Sequence, residues 1–305
     1  MGHRTILVIG DNFLDQLGKF QRTEYADPLS KYVLSVEILD KAKAYYEKGS
    51  KAEDSFLNWV KRMYVVDILI DGNEPDLTGA QKNGWIVLNA NGEISSVIER
   101  TIPEGFFDWF EGTLSYWKLK PDAAGVDVNL AEEFSVVTGF AGSAKKSAID
   151  LTSMWEIVDR CTAERWEQAM VACGSQSWEA FDTLWSKYKT DKYNDELYQK
   201  TYTEWAEQPS VKAISTMLCP DESLWDELSR EELHLKNLLW KYPNHNAIDR
   251  LRLPRNAYIN SYDLGHLLNY SGVIKDGVFL KDPDERALFD SLADDTLLTI
   301  AYVHS

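Results

Sequence analysis

The chain has 305 residues, of which 44% are apolar and 27% charged, enough apolar material for a sizeable core, and this excludes disorder as its main description. Its 32 basic and 49 acidic side chains give a formal charge of -17. A field of that sign repels phosphate backbones and anionic lipid, which argues against direct nucleic-acid binding and against membrane-surface binding. Cys161, Cys173 and Cys219 are odd in number and lack CxxC spacing, so free buried thiols are expected in place of a disulfide framework or a zinc ribbon. Met1-Gly2-His3-Arg4 leads directly into Thr5-Ile6-Leu7-Val8-Ile9 without the apolar stretch of a signal peptide. No apolar run approaches the roughly 18 residues that span a bilayer, and the reading is a cytoplasmic protein.

Thr5 to Ile9 predicts a strand closed by Gly10-Asp11-Asn12, and Phe13, Leu14, Leu17 and Phe20 then recur at helical spacing. A second helix is expected over about 29–48, with Val33, Val36 and Leu39 on one face, and a third over about 54–66, with Phe56, Trp59, Val60 and Met63. Ile68 to Ile70 reads as a strand. Trp85 to Leu88 and Ile94 to Ile98 flank Asn89-Ala90-Asn91-Gly92, the pattern of a hairpin. Thr113 to Leu119 and Phe134 to Val137 add two expected strands. Residues 1–150 therefore form a mixed α/β part.

From about residue 151 to 242 a period of 3.6 dominates, with Met154, Ile157, Val158, Cys161 and Trp166 in one helix and Trp178, Phe181, Trp185 and Tyr188 in the next. Ser153 with Glu156, and Ser229 with Glu232, match capping-box spacing. Pro243 ends this block. Ala257 to Ile259 is a further candidate strand, and Leu267 to Ile274 with Val278 to Leu280 bracket Lys275-Asp276-Gly277 as a second hairpin. Asp282-Pro283-Asp284-Glu285 supplies an N-cap, a first-turn proline and a capping acid for a helix to about Leu292, and Thr296 to Val303 closes the chain as a strand. With no long linker and no repeat, the fold class is α+β: a mixed or antiparallel sheet with a helical subdomain inserted at about 151–242, and residues 243–305 completing the α/β part. The terminal strand is apolar on both faces and is expected to be central and structural.

Chemical motifs are sparse. Gly139-Phe140-Ala141-Gly142-Ser143-Ala144-Lys145-Lys146-Ser147 has the context of a phosphate-binding loop, but Ala144 stands where glycine must precede the lysine, which argues for an ordinary loop. His3, His234, His245, His266 and His304 show neither HxH nor HExxH spacing, so no metal site and no cofactor is expected. No GxSxG elbow or other nucleophile signature is present. Seven tryptophans between Trp155 and Trp240 sit at helical spacing that suits core packing better than base or sugar stacking, and any exposed remainder suits a protein interface.

Leu288-Phe289-Asp290-Ser291-Leu292-Ala293-Asp294-Asp295-Thr296-Leu297-Leu298-Thr299-Ile300 resembles the ending of a bacteriophage-associated family of uncharacterised proteins, where a helix, an Asp-Asp-Thr-Leu turn and a final strand recur. Phe107-Asp108-Trp109-Phe110, Lys145-Lys146-Ser147-Ala148-Ile149-Asp150 and Arg255-Asn256-Ala257 are similar to further patches of that family, in its order. Where relatives continue with Gly-Gly-Arg-Trp, this chain has Glu111-Gly112-Thr113-Leu114-Ser115-Tyr116-Trp117, without the paired glycines and the arginine, so if that stretch holds an anion in relatives it is not expected to do so here. The resemblance implies a phage or mobile-element accessory protein and supplies no reaction. The resulting expectation is a non-catalytic counter-defence protein that binds and inhibits or modulates a host or antiphage-defence protein with a basic surface. One variant is an acidic nucleic-acid mimic that blocks a DNA-binding enzyme. The alternative is an enzyme or small-ligand sensor, with Asp108, Trp109, Lys145 and Lys146 as candidate ligand-binding residues, because packing alone does not require Asp108 or Lys146. A pocket joining Asp108 to the Lys145 loop would raise that alternative, and patches on separate faces would remove its main support.

Overall fold

The computed structural model describes residues 2–48, 55–70, 73–129, 137–174, 176–189, 194–217 and 244–305. The first half holds β1 (His3–Ile9), α1 (Phe13–Gly18), β2 (Leu34–Glu37), α2 (Leu39–Lys48), α3 (Phe56–Tyr64), β3 (Asp67–Leu69), β4 (Gly84–Leu88) and β5 (Ile94–Thr101). β6 (Trp109–Thr113), β7 (Trp117–Lys118), β8 (Phe140–Ala141) and β9 (Ser143–Lys145) follow. The helical block holds α4 (Leu151–Ala172), α5 (Phe181–Tyr188), α6 (Asp195–Ala206) and α7 (Pro209–Met217). After it come α8 (His245–Arg250), α9 (Arg255–Ile259), α10 (Leu264–Leu268), β10 (Val273–Lys275), β11 (Val278–Leu280), α11 (Glu285–Ser291) and β12 (Leu297–His304).

The class is α+β, as the sequence implies. A mixed sheet runs in the order β11-β10-β1-β12-β6, with β9 also on β12. β1 is parallel to β10 and antiparallel to β12, in register from His3↔His304 to Ile9↔Leu298. β12 is central: β1 covers one edge along its length, while β9 takes Leu297 to Thr299 and β6 takes Ala301 to His304 on the other. Its side chains alternate as a period of two requires, Leu298 and Ile300 entering one core and Ala301 and Val303 another. β1 does the same, with Leu7 and Ile9 on one face and Ile6 and Val8 on the other.

The face carrying Leu7 and Ile300 is covered by the helical block, whose Met154, Val158, Trp205, Val211 and Ile214 belong to the same core. The block is therefore a layer on the sheet. One carboxylate organises it: Asp249 of α8 accepts from the indole N–H of Trp178 at 2.9 Å and of Trp205 at 3.0 Å, and from the Phe181 amide at the start of α5 at 2.6 Å. Both indoles are buried, so a lone carboxylate satisfies donors that would otherwise cost about 1–3 kcal/mol each. Arg165 of α4, fully buried, donates to the hydroxyls of Tyr258 at 3.0 Å and Tyr262 at 3.2 Å.

A second sheet, in the order β2-β5-β4-β3, has its own small core of Ile38, Ala42, Val60, Val66, Ile86 and Val97 beneath α2 and α3. The expected hairpin is β4 and β5.

Several expectations are corrected. The helix expected over 29–48 begins only at Leu39, because Leu34 to Glu37 pair with β5, and the Glu37 carboxylate accepts from the amides of Leu39 and Val97, ending the strand and starting the helix. The strand expected at Thr113 to Leu119 is split: β6 ends at Thr113, and Trp117–Lys118 turns away to pair with β8. Ala257 to Ile259 is helical, and its buried Tyr258 meets Arg165. Leu267 and Leu268 close α10, whose C-cap Asn269 takes a left-handed φ of 55°, and β10 begins only at Val273. Asp150, not Ser153, caps α4, and Asp284, not Asp282, caps α11. Cys219, Trp225, Trp240, the Ser229/Glu232 spacing, Pro243 and residues 134–136 lie outside the described residues, among which no helix is long and apolar enough to cross a membrane.

Ile300 is fully buried at the centre of β12. Ile300→Ala should lower unfolding stability by about 2–5 kcal/mol in urea titration, and truncation after Asp295 should abolish cooperative unfolding altogether.

Candidate functional site

Asp108 is buried where three segments meet. Its carboxylate accepts from Arg22 Nη1 at 2.7 Å and lies 3.0 Å from His304 Nδ1, its amide donates to the His304 carbonyl at 2.7 Å, and its carbonyl accepts from Gln21 Nε2 at 2.8 Å. Trp109, 41% exposed, stacks flat on His304 at a centroid distance of 4.0 Å. Every polar group of Asp108 is engaged within the protein, so this cluster clasps the end of β12. Lys145 and Lys146 lie at the other end: Lys145 pairs with Leu297, and Lys146 Nζ donates to the Leu292 carbonyl at 2.7 Å. Seven residues of strand, about 23 Å at 3.3 Å per residue, separate the two places. Asp108 and Trp109 are thus brought together, Lys145 and Lys146 are adjacent, and the structure does not join the pairs in one pocket. The Gly139 to Ser147 stretch is largely the edge strands β8 and β9, not a phosphate loop.

A different constellation forms a cavity of about 510 Å³ between α10, β10, β11 and α11, lined by Asp263, His266, Tyr270, Lys281, Asp282 and Glu285. Local folding rules place each group. Asp263 caps α10, accepting from the His266 amide at 3.2 Å, while His266 Nδ1 turns back to within 2.6 Å of its carboxylate. Left-handed Asn269 then swings the chain so that Tyr270 comes back beside the start of α10. Because Asp284 supplies the cap of α11, Glu285 is free to turn inward, where it is buried and accepts from the Gly265 amide at 3.2 Å. Gly265 allows this convergence: a β-carbon there would stand 3.1 Å from Asp263 Oδ1 and from Tyr270 Cε2, and 3.2 Å from Glu285 Oε1.

The two acids differ in proton affinity. Burial pushes Asp263 up, but the hydrogen bond and charge of His266, with smaller help from the His266 amide and Arg250, outweigh it and hold the carboxyl below its ordinary range. For Glu285, burial and the nearby Asp263 charge win over the Tyr270 hydroxyl and the amides of Gly265 and Leu264, so its pKa rises to about 7. Burial and then the Glu285 charge push Tyr270 well above its usual value. The Tyr270 hydroxyl lies against Glu285 with no hydrogen bond of ordinary geometry. Near neutrality the cavity therefore offers an ionised acid held by a histidine, a carboxyl poised to give or take a proton, and a neutral phenol, an arrangement suited to binding a polar molecule or to proton transfer.

Sequence reasoning missed these residues for definite reasons. Tyr270 lies in the Leu267 to Ile274 stretch that reads as strand, His266 stands just before it with no motif spacing, and Glu285 reads as the capping acid of a helix start. The Asp263 to His266 spacing of three was the available signal. Among the described residues, no group of three or more His, Cys, Asp or Glu side chains is placed to hold a metal ion. Comparison with family models, curated proteins and solved structures finds no match to this chain.

A carboxyl with a raised folded-state pKa binds its proton more tightly folded than unfolded. Its contribution to stability is thus full below the unfolded value near 4.5 and lost as pH rises through about 7. The loss should reach about 3 kcal/mol. Urea titrations at pH 5 and 8 should show it in the native chain, and Glu285→Gln should remove most of the difference while leaving the ionised Asp263 in place.

Proposed function

We propose that this chain is a small-ligand-binding protein, an enzyme or sensor, whose site is the cavity of Asp263, His266, Tyr270 and Glu285. The observation that carries the reading is the Tyr270 hydroxyl: the residue is only 9% exposed, the hydroxyl makes no hydrogen bond of ordinary geometry, and it lies against a buried carboxyl at a polar cavity. A phenol left unsatisfied costs about 1–3 kcal/mol, and a ligand able to bond with both groups recovers that cost. The cavity's volume is within the range of small-molecule sites. The ligand class is a compact molecule with both donor and acceptor groups.

The experiment is a native mass-spectrometry screen of small polar metabolites, followed by titration calorimetry of any hit. Tyr270→Phe and Glu285→Gln should each weaken the hit about tenfold, as expected for loss of a hydrogen bond to a charged or buried partner. A screen without a stoichiometric hit, or a hit indifferent to both variants, overturns the assignment.

A second reading is the phage or mobile-element accessory protein that binds a basic host or defence protein, or mimics nucleic acid toward a DNA-binding enzyme. Two observations favour it: the charge of -17, and the apolar side chains exposed around the smaller sheet, including Leu34 and Val36 on edge strand β2, Tyr45, Met63 and Val65. On this reading a bacterial lysate yields a stoichiometric partner whose retention falls as salt rises from 50 to 500 mM in a pull-down series, roughly the range over which surface charge is screened. Duplex DNA competes for that partner only if the chain is a mimic. Retention independent of salt argues against both forms.

A further inference from the structure

The polar cavity shares a wall with a second cavity of about 520 Å³, since Phe279 and Ser271 line both. The Phe279 ring lies across Gly272, where a β-carbon would stand 2.6 Å from ring atoms Cε2 and Cζ, so only a glycine lets the ring settle there. Phe279 meets Phe106 at a centroid distance of 5.7 Å and Phe20 at 6.2 Å, and Phe20 meets Phe106 at 5.7 Å. Three rings from three separate segments thus make one aromatic corner. Phe20 is buried, whereas Phe279 is 41% exposed.

The charge of this lining is opposite to that of the molecule. In a chain with 17 more acids than bases, the cavity is lined by Arg4 and Lys19 against the single acid Glu104. Neither cation has a carboxylate partner within ion-pair distance among the described residues. The Arg4 guanidinium sits 6.0 Å from the Phe106 centroid, and Lys19 Nζ donates to the Gly277 carbonyl at 2.7 Å. Asp15, whose field reaches Lys19, is already paired with Lys31.

We propose that this cavity binds a small aromatic carboxylate, its ring among Phe20, Phe106 and Phe279 and its anionic group at Arg4 and Lys19. Edge-to-face packing on the three rings supplies most of the affinity, and the two cations supply selectivity. Because Arg4 is exposed and Lys19 only half-buried, the selectivity is modest, about fivefold. The proposal does not rest on the site that Glu285 and Tyr270 define, with which this cavity shares the wall of Phe279 and Ser271.

Titration calorimetry at low salt with naphthalene-2-carboxylate and naphthalene-2-carboxamide tests it. The carboxylate should bind about fivefold tighter than the amide. The double substitution Arg4→Gln with Lys19→Gln should abolish that preference, and Phe279→Ala should weaken both probes about tenfold. Tyr270→Phe should change neither. Thermal unfolding checks that each variant is folded, and the Arg4/Lys19 pair carries the test alone if Phe279→Ala is not. Absence of binding, equal binding of the two probes, a preference that survives the double substitution, or a loss on Tyr270→Phe overturns the proposal, the last by seating the probe in the neighbouring cavity.

Discussion

The antiparallel pairing of β1 with β12 is the constraint on which the rest depends. It joins the first described strand to the last, from His3↔His304 to Ile9↔Leu298, and so closes everything between them into one loop. Closure costs grow only logarithmically with loop length, but they precede any return from the contacts that follow. Once the pair exists, β10 adds to the free edge of β1, and β6 and β9 divide the free edge of β12. Each face of the pair then seeds one core, because alternate residues of both strands are apolar on both sides.

Buried polar groups fall into two kinds, and the difference separates framework from site. Asp108 and Asp249 each have several donors from different segments and act as fasteners. Glu285 is held only by backbone amides at the start of α10, sits near a second carboxylate, and faces a phenol with no hydrogen bond of ordinary geometry. A protein optimised only for stability would fill such a place with apolar side chains, since a half-satisfied buried network is worse than none.

Much of the framework was legible because its signals are local. The alternation in Thr296 to Val303, the Asn-Gly turn before Ile94 and the 3.6 period after Leu151 each map onto an observed element. The failures share one cause, which is that the decisive partner is distant in sequence. Leu34 to Glu37 has helical spacing by itself and becomes a strand through β5, some sixty residues on. Asp108 drew notice as a polar residue amid aromatics, yet its partners Arg22 and His304 come from opposite ends of the chain. The polar cavity was hidden because a capping box with histidine at its third position departs from the usual acid or amide, and because Asp284 and Glu285 exchange the roles that their order suggests.

The geometry that clasps the chain also sets how it yields to mechanical force. Residues 2 and 305 exchange two backbone hydrogen bonds, and the strands they lead into run antiparallel, with bonds perpendicular to the strand axis. Tension applied between residues 2 and 305 loads those bonds one rung at a time, in an unzipping direction, instead of shearing all the rungs together. Resistance along this path is that of single rungs, and its completion separates the central strand pair on which both cores rest.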